Sequence, residues 1–476
     1  MRGANAITAE LAEFAAALDF ASLPPAVPGR VKALLLDLVG ITIRARYEAD
    51  STEPLLRAVE RLGLAAGRCS VIGDARGFAA PAAALINGAL AHSLDFDDTH
   101  ARASLHPSAP IVPAALAAAE LGGASGTQVI AAIVAGYEIQ IRLSLALVPK
   151  DHYDRGFHPT ATCGTFGAAA AAGRLLGLTA PQLENAFGLC GSLAAGSMQF
   201  LTDGSWNKRF HTGYAAMNGL IAAVSASEGY HGAGAAIEGT AGFLSSYSPN
   251  PNFAAATAGL GEVFETLNIG IKPYPSCRYG HAALDALIAL RTQHGIDDRD
   301  VHSVVIGLPL TGHKIIGEPL TAKQKPRNVV DGQFSMPFVA AVALREGRMA
   351  WDDYRRHLDD PLTLALCARI RTAVDTAAEA EFPANMSAIV RIATAHGAFE
   401  KLVIVPRGEP ENFMTDAELL AKFDTLAAPY LGFDERSALT AALLALDSTN
   451  DIAGVCALSR PQPRSAATPR PATRGA

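Results

Sequence analysis

Apolar residues recur along most of this chain at the three-to-four spacing of helices rather than the alternation of strands. Thr8, Leu11 and Phe14 begin such a pattern, Leu23-Pro-Pro breaks it, and Val31 to Arg44 resumes it, predicting two core-packing helices. From Ala79 to Val224 alanine-rich segments of helical length alternate with breaks at Gly122-Gly123, Pro149 and Gly177. Within that region Thr127 to Leu147 predicts an apolar helix with Tyr137, Glu138, Gln140 and Arg142 late in it. Thr162 to Leu176 is nearly all small, which lets backbones approach closely. The pattern changes after Pro273. Val301 to Leu308 reads as a strand, and Met386 to Thr394 and Phe399 to Val405 read as two more joined by Ala395-His-Gly397. Phe334 to Arg345 and Pro361 to Thr376 read as helices between them, and Asp416 to Leu446 returns to helical spacing. The expected fold class is therefore mainly α. Helical parts at 1–268 and 409–458 enclose a mixed α+β segment at 269–408, and an Arg/Pro-rich tail at 459–476 is expected to be disordered.

Half of the 476 residues are apolar, enough for a sizeable core, while only 18% are charged and the net charge is -7. That balance argues against nucleic acid or an anionic membrane as partner and leaves any cationic site a local feature, suited to a small anion. Six scattered cysteines form neither a C-x-x-C pair nor a disulfide framework, which predicts a reduced, cytoplasmic setting. The N-terminus lacks the apolar core of a signal peptide. Uncharged runs such as Asn185 to Thr202 hold too many Gly, Ser and Gln for a bilayer span.

Against this apolar background, His92-Ser-Leu-Asp-Phe-Asp-Asp-Thr-His100 with His106-Pro-Ser108 concentrates three carboxylates and three imidazoles. Burying such groups is costly unless they are paired or used. If helix continues to Thr99, Asp95 and Thr99 share a face. Three further clusters add to it: Arg155-Gly-Phe-His158-Pro-Thr160, Trp206-Asn-Lys208-Arg209-Phe-His211, and Lys272-Pro-Tyr-Pro-Ser-Cys277-Arg278-Tyr-Gly-His281. Gln333-Phe-Ser-Met-Pro337-Phe338 reads as a helix cap. Together they supply acids, bases and cations in no metal-ligand spacing. Such a set suits proton abstraction beside a carboxylate, cations holding the substrate's carboxylates and an acid assisting the leaving group. Asp95-Phe-Asp97-Asp98-Thr99 also matches the D-x-D-x-T of haloacid-dehalogenase phosphatases, but its lead-in is helical rather than a buried strand. A magnesium-diphosphate site would need a second acidic helix that the chain lacks.

In the order and spacing of these motifs, from residue 7 to about 450, the chain resembles the MmgE/PrpD family. The resemblance implies a large all-helical domain built from both chain ends, a smaller α+β lid domain, a homodimer, and neither metal nor organic cofactor. It implies a lyase of the 2-methylcitrate dehydratase type, with cis-aconitate decarboxylase-like and iminodisuccinate epimerase-like activities as alternatives. Carried over by motif, the catalytic set is Asp95, His106, His158, Lys208 and His281, and Thr99, Lys208, Arg209, His211, Lys272 and Arg278 bind substrate. Phe338 stands where the animal decarboxylases look to have a tyrosine, and Thr99 to His106 is one residue longer than in them.

Overall fold

The computed structural model describes residues 6–461, so the tail from 462 lies outside the described residues. Helices follow one another through the first half: α1 (Ile7–Ala17), α2 (Ala26–Glu48), α3 (Ala80–Ala91), α4 (Ser108–Gly122), α5 (Gly126–Leu147), α6 (Pro159–Leu175), α7 (Ala180–Leu193) and α8 (Asn207–Ser227). Their ends obey local chemistry. Ser125 caps α5 in a reciprocal capping box with Gln128, and α4 stops where Gly123 turns left-handed at φ 71°.

The small residues allow the close packing that the pattern implied. A Cβ on Gly88 of α3 would sit 2.7 Å from the Gly213 Cα of α8, and one on Gly167 of α6 would sit 2.6 Å from the Gly136 carbonyl oxygen of α5. These helices touch backbone to backbone. α5 is long and apolar enough to cross a bilayer, yet it is buried among its neighbours. Its polar residues are used there: Glu138 accepts from the Glu265 and Thr266 amides, and Arg142 donates to the Val263 carbonyl, tying 258–266 to the helix.

The segment after Pro273 carries α9 (His281–His294) and α10 (Met336–Glu346) beside a four-stranded sheet. The earlier β1 (Thr99–His100) and β2 (Ile269–Gly270) pair apart from it. The large sheet contains β3 (Val301–Leu308), β4 (Ile370–Val374), β5 (Ala388–Thr394) and β6 (Gly397–Val403), in the order β4-β3-β5-β6, with β3 and β4 parallel and the other pairs antiparallel. One expected helix fails here: 361–376 is helical only over Pro361–Cys367 and then becomes β4. The free edge of β3 recruits it, a tertiary pairing that local spacing does not reveal. The chain closes with α11 (Asp416–Ala427) and α12 (Phe433–Leu444).

Buried apolar side chains fall into two clusters. One runs from Ile7 to Ile271 and resumes from Met414 to Cys456, so both chain ends build it; the other spans Ala282 to Ile392. The polar loop after α3 meets the segment that begins at Lys272.

Candidate active site

Helix α3 ends at Ala91, and the chain turns rather than continuing to Thr99. Asp95 and Thr99 therefore share no helical face. Asp95 adopts a left-handed φ of 50°, and Thr99 lies in β1. Aspartate tolerates that conformation better than most residues, and three distant side chains hold it. Gln333 Nε2 donates to the Leu94 carbonyl at 2.7 Å, Lys272 Nζ to the Asp95 carbonyl at 2.8 Å, and Lys422 Nζ to the Phe96 carbonyl at 3.0 Å. The β1–β2 pairing, Thr99 opposite Gly270, delivers Lys272 two residues later.

The cations converge on this loop. Lys208, in the first turn of α8, ion-pairs with Asp95, and Lys272 Nζ lies 3.3 Å from the same carboxylate oxygen. Burial pushes the Asp95 carboxyl up, but the two ammonium groups outweigh it and hold it well below the usual range. Its second oxygen is buried without a partner among the described residues. Arg278 Nη1 donates to Thr99 Oγ1 at 2.9 Å and pairs with Glu409. Arg209, also expected to bind substrate, donates to Ser51 Oγ at 3.3 Å and interacts electrostatically with Asp50 and Asp95.

Four imidazoles pack beside these cations. Rings of His92 and His106 lie 4.6 Å apart, His92 and His158 6.0 Å, and His158 and His211 5.5 Å. His106 Nδ1 is 2.9 Å from the Asp98 carbonyl oxygen, which only accepts, so Nδ1 carries the proton and Nε2 the lone pair. By the same reasoning His281 donates Nε2–H to the Ser276 carbonyl at 3.1 Å and leaves Nδ1 as its basic atom. His158 and His211 share one proton between Nδ1 atoms 3.3 Å apart. Burial lowers His106, drives His158 well below its ordinary value, and takes His211 to about 4 and His281 to about 3. All are neutral near pH 7. His211, expected to bind substrate, is thus a neutral partner for His158.

His92 and Asp97 belong to the stretch that stands out in the sequence but lie outside the candidate set. They sit at its centre: His92 Nδ1 is 2.7 Å and His106 Nδ1 3.4 Å from Asp97 Oδ2. Asp98 turns away to the Ser108 amide at 3.1 Å and the Ser108 hydroxyl, and burial raises its carboxyl to about 8. Lys422 and Glu409 carry no local signal and reach the site from far along the chain. Gln333 is reached by its motif, although the capping role falls to Ser335, whose Oγ accepts from the Phe338 amide.

Among the described residues two groups place three metal-ligand atoms within 4.8 Å of one another: His92, Asp97 and His106, and Glu346, Asp353 and His357. Both are already engaged internally, the second through His357 Nε2 at 3.1 Å from Glu346 and through Arg348 and Arg356 on Asp353.

A neutral base, shared imidazole protons and lysines around one carboxylate can move a proton at carbon while holding an anion. Two similar proteins match along almost the whole chain. A cis-aconitate decarboxylase-like protein of Aspergillus oryzae is 28% identical over 95% of this chain and 97% of its own. The cis-aconitate decarboxylase of Aspergillus terreus is 27% identical over 94% of each chain, and that of Homo sapiens 28% identical over 56% of this chain and 55% of its own. The MmgE/PrpD N-terminal domain matches residues 9–256 and the MmgE/PrpD C-terminal domain residues 274–447; with these two matches, the chain belongs to the MmgE/PrpD family.

Proposed function

We propose that this chain is a lyase of small di- or tricarboxylates that works by proton transfer at the carbon next to a carboxylate. The observation that carries the reading is His106, held by the Asp98 carbonyl with a basic Nε2, in a cluster shared with Lys208 and Lys272. In this reading the lysines exchange part of their pairing with Asp95 for substrate carboxylates and stabilise the enediolate that forms when His106 takes the proton. The His158–His211 pair then supplies a proton.

Dehydration of a citrate-like hydroxy acid uses both halves of this set. A base removes the carbon-bound proton, the C–O bond breaks, and the hydroxyl leaves as water with a proton from the acid. Loss of carbon dioxide from a cis-aconitate-like acid needs only the donor, which protonates the carbon left behind. The site's base therefore favours the 2-methylcitrate dehydratase-like hydro-lyase, and the names of the relatives favour the carboxy-lyase. An epimerase would need base and acid with no leaving group.

We also propose that 269–408 acts as a lid over the loop after α3, and that the protein works as a cytoplasmic homodimer. Exposed Trp206, just before α8, and Phe210 and Ile221 on it support self-association, and light scattering of the purified chain measures it. Proton NMR of the enzyme with citrate, 2-methylcitrate, cis-aconitate and iminodisuccinate tests the reaction. A new alkene from a hydroxy acid establishes the hydro-lyase, carbon dioxide with itaconate establishes the carboxy-lyase, and no change in any of them refutes the reading.

A further inference from the structure

The least explained feature of the site is the Asp97 carboxylate. It is fully buried, among the described residues no lysine or arginine pairs with it, and its Oδ2 faces the Nδ1 atoms of two different histidines, His92 at 2.7 Å and His106 at 3.4 Å. An ionised carboxylate only accepts, so each of those nitrogens is a donor. We propose that Asp97 is the positioning residue of this site, a single carboxylate that fixes His106 and His92 together with protons on Nδ1 and lone pairs on Nε2, and that His92 is a second substrate-facing acceptor.

Several observations lead there. Burial works against the charge on Asp97, yet the two imidazole donors outweigh it and hold the carboxyl well below its ordinary range. His106 divides its Nδ1–H between Asp97 and the Asp98 carbonyl, so its ring has one orientation. His92 has no such choice, and its Nε2 is buried with no partner among the described residues, as is Asp97 Oδ1. Unpartnered buried polar atoms are costly and mark places where a ligand or water belongs. The His92 ring lies between those of His106 and His158, so a donor that reaches it enters the same imidazole cluster. Burial takes His92 to about 3, leaving it neutral, and a neutral imidazole with its proton on Nδ1 can only accept at Nε2. Its substrate partner is therefore an O–H donor, a hydroxyl or a protonated carboxyl.

The arrangement also sets how many protons the site holds. His92 is faced by Asp97, His106, His158 and Lys208; Asp97 is faced by His92 and His106 and also feels the charges of Asp37, Asp98 and Lys422. One carboxylate compensates one imidazolium. When His106 Nε2 takes the substrate's proton, Asp97 balances the charge without accepting a proton itself, and His92 stays neutral to hold the hydroxyl.

The inference deepens the lyase reading and rests on it for the reaction, but the tautomers are measured without turnover. Nitrogen-15 NMR of histidine-labelled protein at pH 7, with signals assigned through His92→Phe and His106→Gln, is expected to show Nδ1–H for both residues. Asp97→Asn offers an amide in place of a pure acceptor and is expected to move at least one of them to Nε2–H. It should lower kcat by about 10²-fold or more while KM changes by less than about threefold. Asp97→Glu should recover part of the rate. His92→Phe should leave His106 with Nδ1–H and raise KM more for hydroxy acids than for unsaturated acids. If either imidazole carries Nε2–H in the wild-type protein, or Asp97→Asn leaves both tautomers and kcat unchanged, the inference is overturned. Expected tautomers in a protein that turns over no polycarboxylate would sink the lyase reading and leave this one standing. His92→Phe keeps the test alive should Asp97→Asn fail to fold.

Discussion

Lys422→Met separates what holds the fold from what holds the site. The Lys422 ammonium lies 2.6 Å from Asp37 Oδ1 on α2, 3.0 Å from the Phe96 carbonyl and 2.8 Å from the Lys272 carbonyl, so its three donors meet three acceptors. Methionine keeps the stem and removes all three. Leaving a buried partner uncompensated costs about 3–5 kcal/mol. Protonation limits the Asp37 share: burial already raises this carboxyl to about 6 against the pull of Lys422, and without the lysine it is neutral at pH 7. The remainder is the two orphaned carbonyls, about 1–3 kcal/mol each. Urea unfolding at pH 7 should therefore show a loss of about 3–5 kcal/mol. Lys422→Met with Asp37→Leu replaces the ion pair by apolar groups and should recover part of that loss, because the carboxyl's contribution disappears. Turnover should stay depressed in both, since the backbone beside Asp95 and Lys272 has lost its clamp. A single variant within about 1 kcal/mol of wild type, or a double variant with full activity, would refute the reasoning.

Stability should fall between pH 6.5 and 4. His92 and His281, held at about 3, and His152 and His211, at about 4, are neutral in the fold and protonate near 6.5 when unfolded. Depressed folded values give stability that is present above 6.5 and lost on acidification, about 1.4 kcal/mol per pH unit for each group. Asp37 at about 6 and Asp98 at about 8 act oppositely, favouring the fold below their unfolded values and losing that contribution as pH rises through the folded ones; four groups outweigh two. Thermal melts across that range check the sign, and a flat profile would contradict it. Gly213→Ala should destabilise by about 1–3 kcal/mol or more, because its Cβ would lie 2.1 Å from the Leu85 carbonyl oxygen and α8 must move off α3. Gly191→Ala in α7 has open space and should be neutral or stabilising by up to about 1 kcal/mol, with equal melting shifts in the two contradicting the packing argument. Cys277→Ser should keep most of the activity, since burial raises this thiol and leaves it protonated; complete loss would point to thiol chemistry.

What the sequence disclosed follows from the range of the interactions involved. Helices such as α2, α5 and α6 declare themselves because burial repeats every turn and breakers mark their ends. The loop of the site declares itself because acids and imidazoles are out of place among alanines. Lys422 does not, since it meets Phe96 from 326 positions away and looks like an ordinary helix lysine. β4 was hidden for the same reason, its identity being a pairing with β3. Histidine roles needed acceptor identity: the Asp97 carboxylate and the Asp98 and Ser276 carbonyls tell which nitrogens of His106 and His281 carry protons. Spacing also misled at Asp95 and Thr99, where the left-handed turn at Asp95 ends any helical relation.

Proton transfer at carbon by His106 is reported directly by deuterium. Wild type and His106→Gln are incubated in deuterated water with citrate, 2-methylcitrate, cis-aconitate and iminodisuccinate, and carbon-bound deuterium and product are followed by NMR. Wild type is expected to exchange or form carbon-bound deuterium in at least one acid, and His106→Gln to do so at least about 10²-fold more slowly while melting at a similar temperature. Equal rates in the two proteins, or turnover with no change at carbon, would contradict the account.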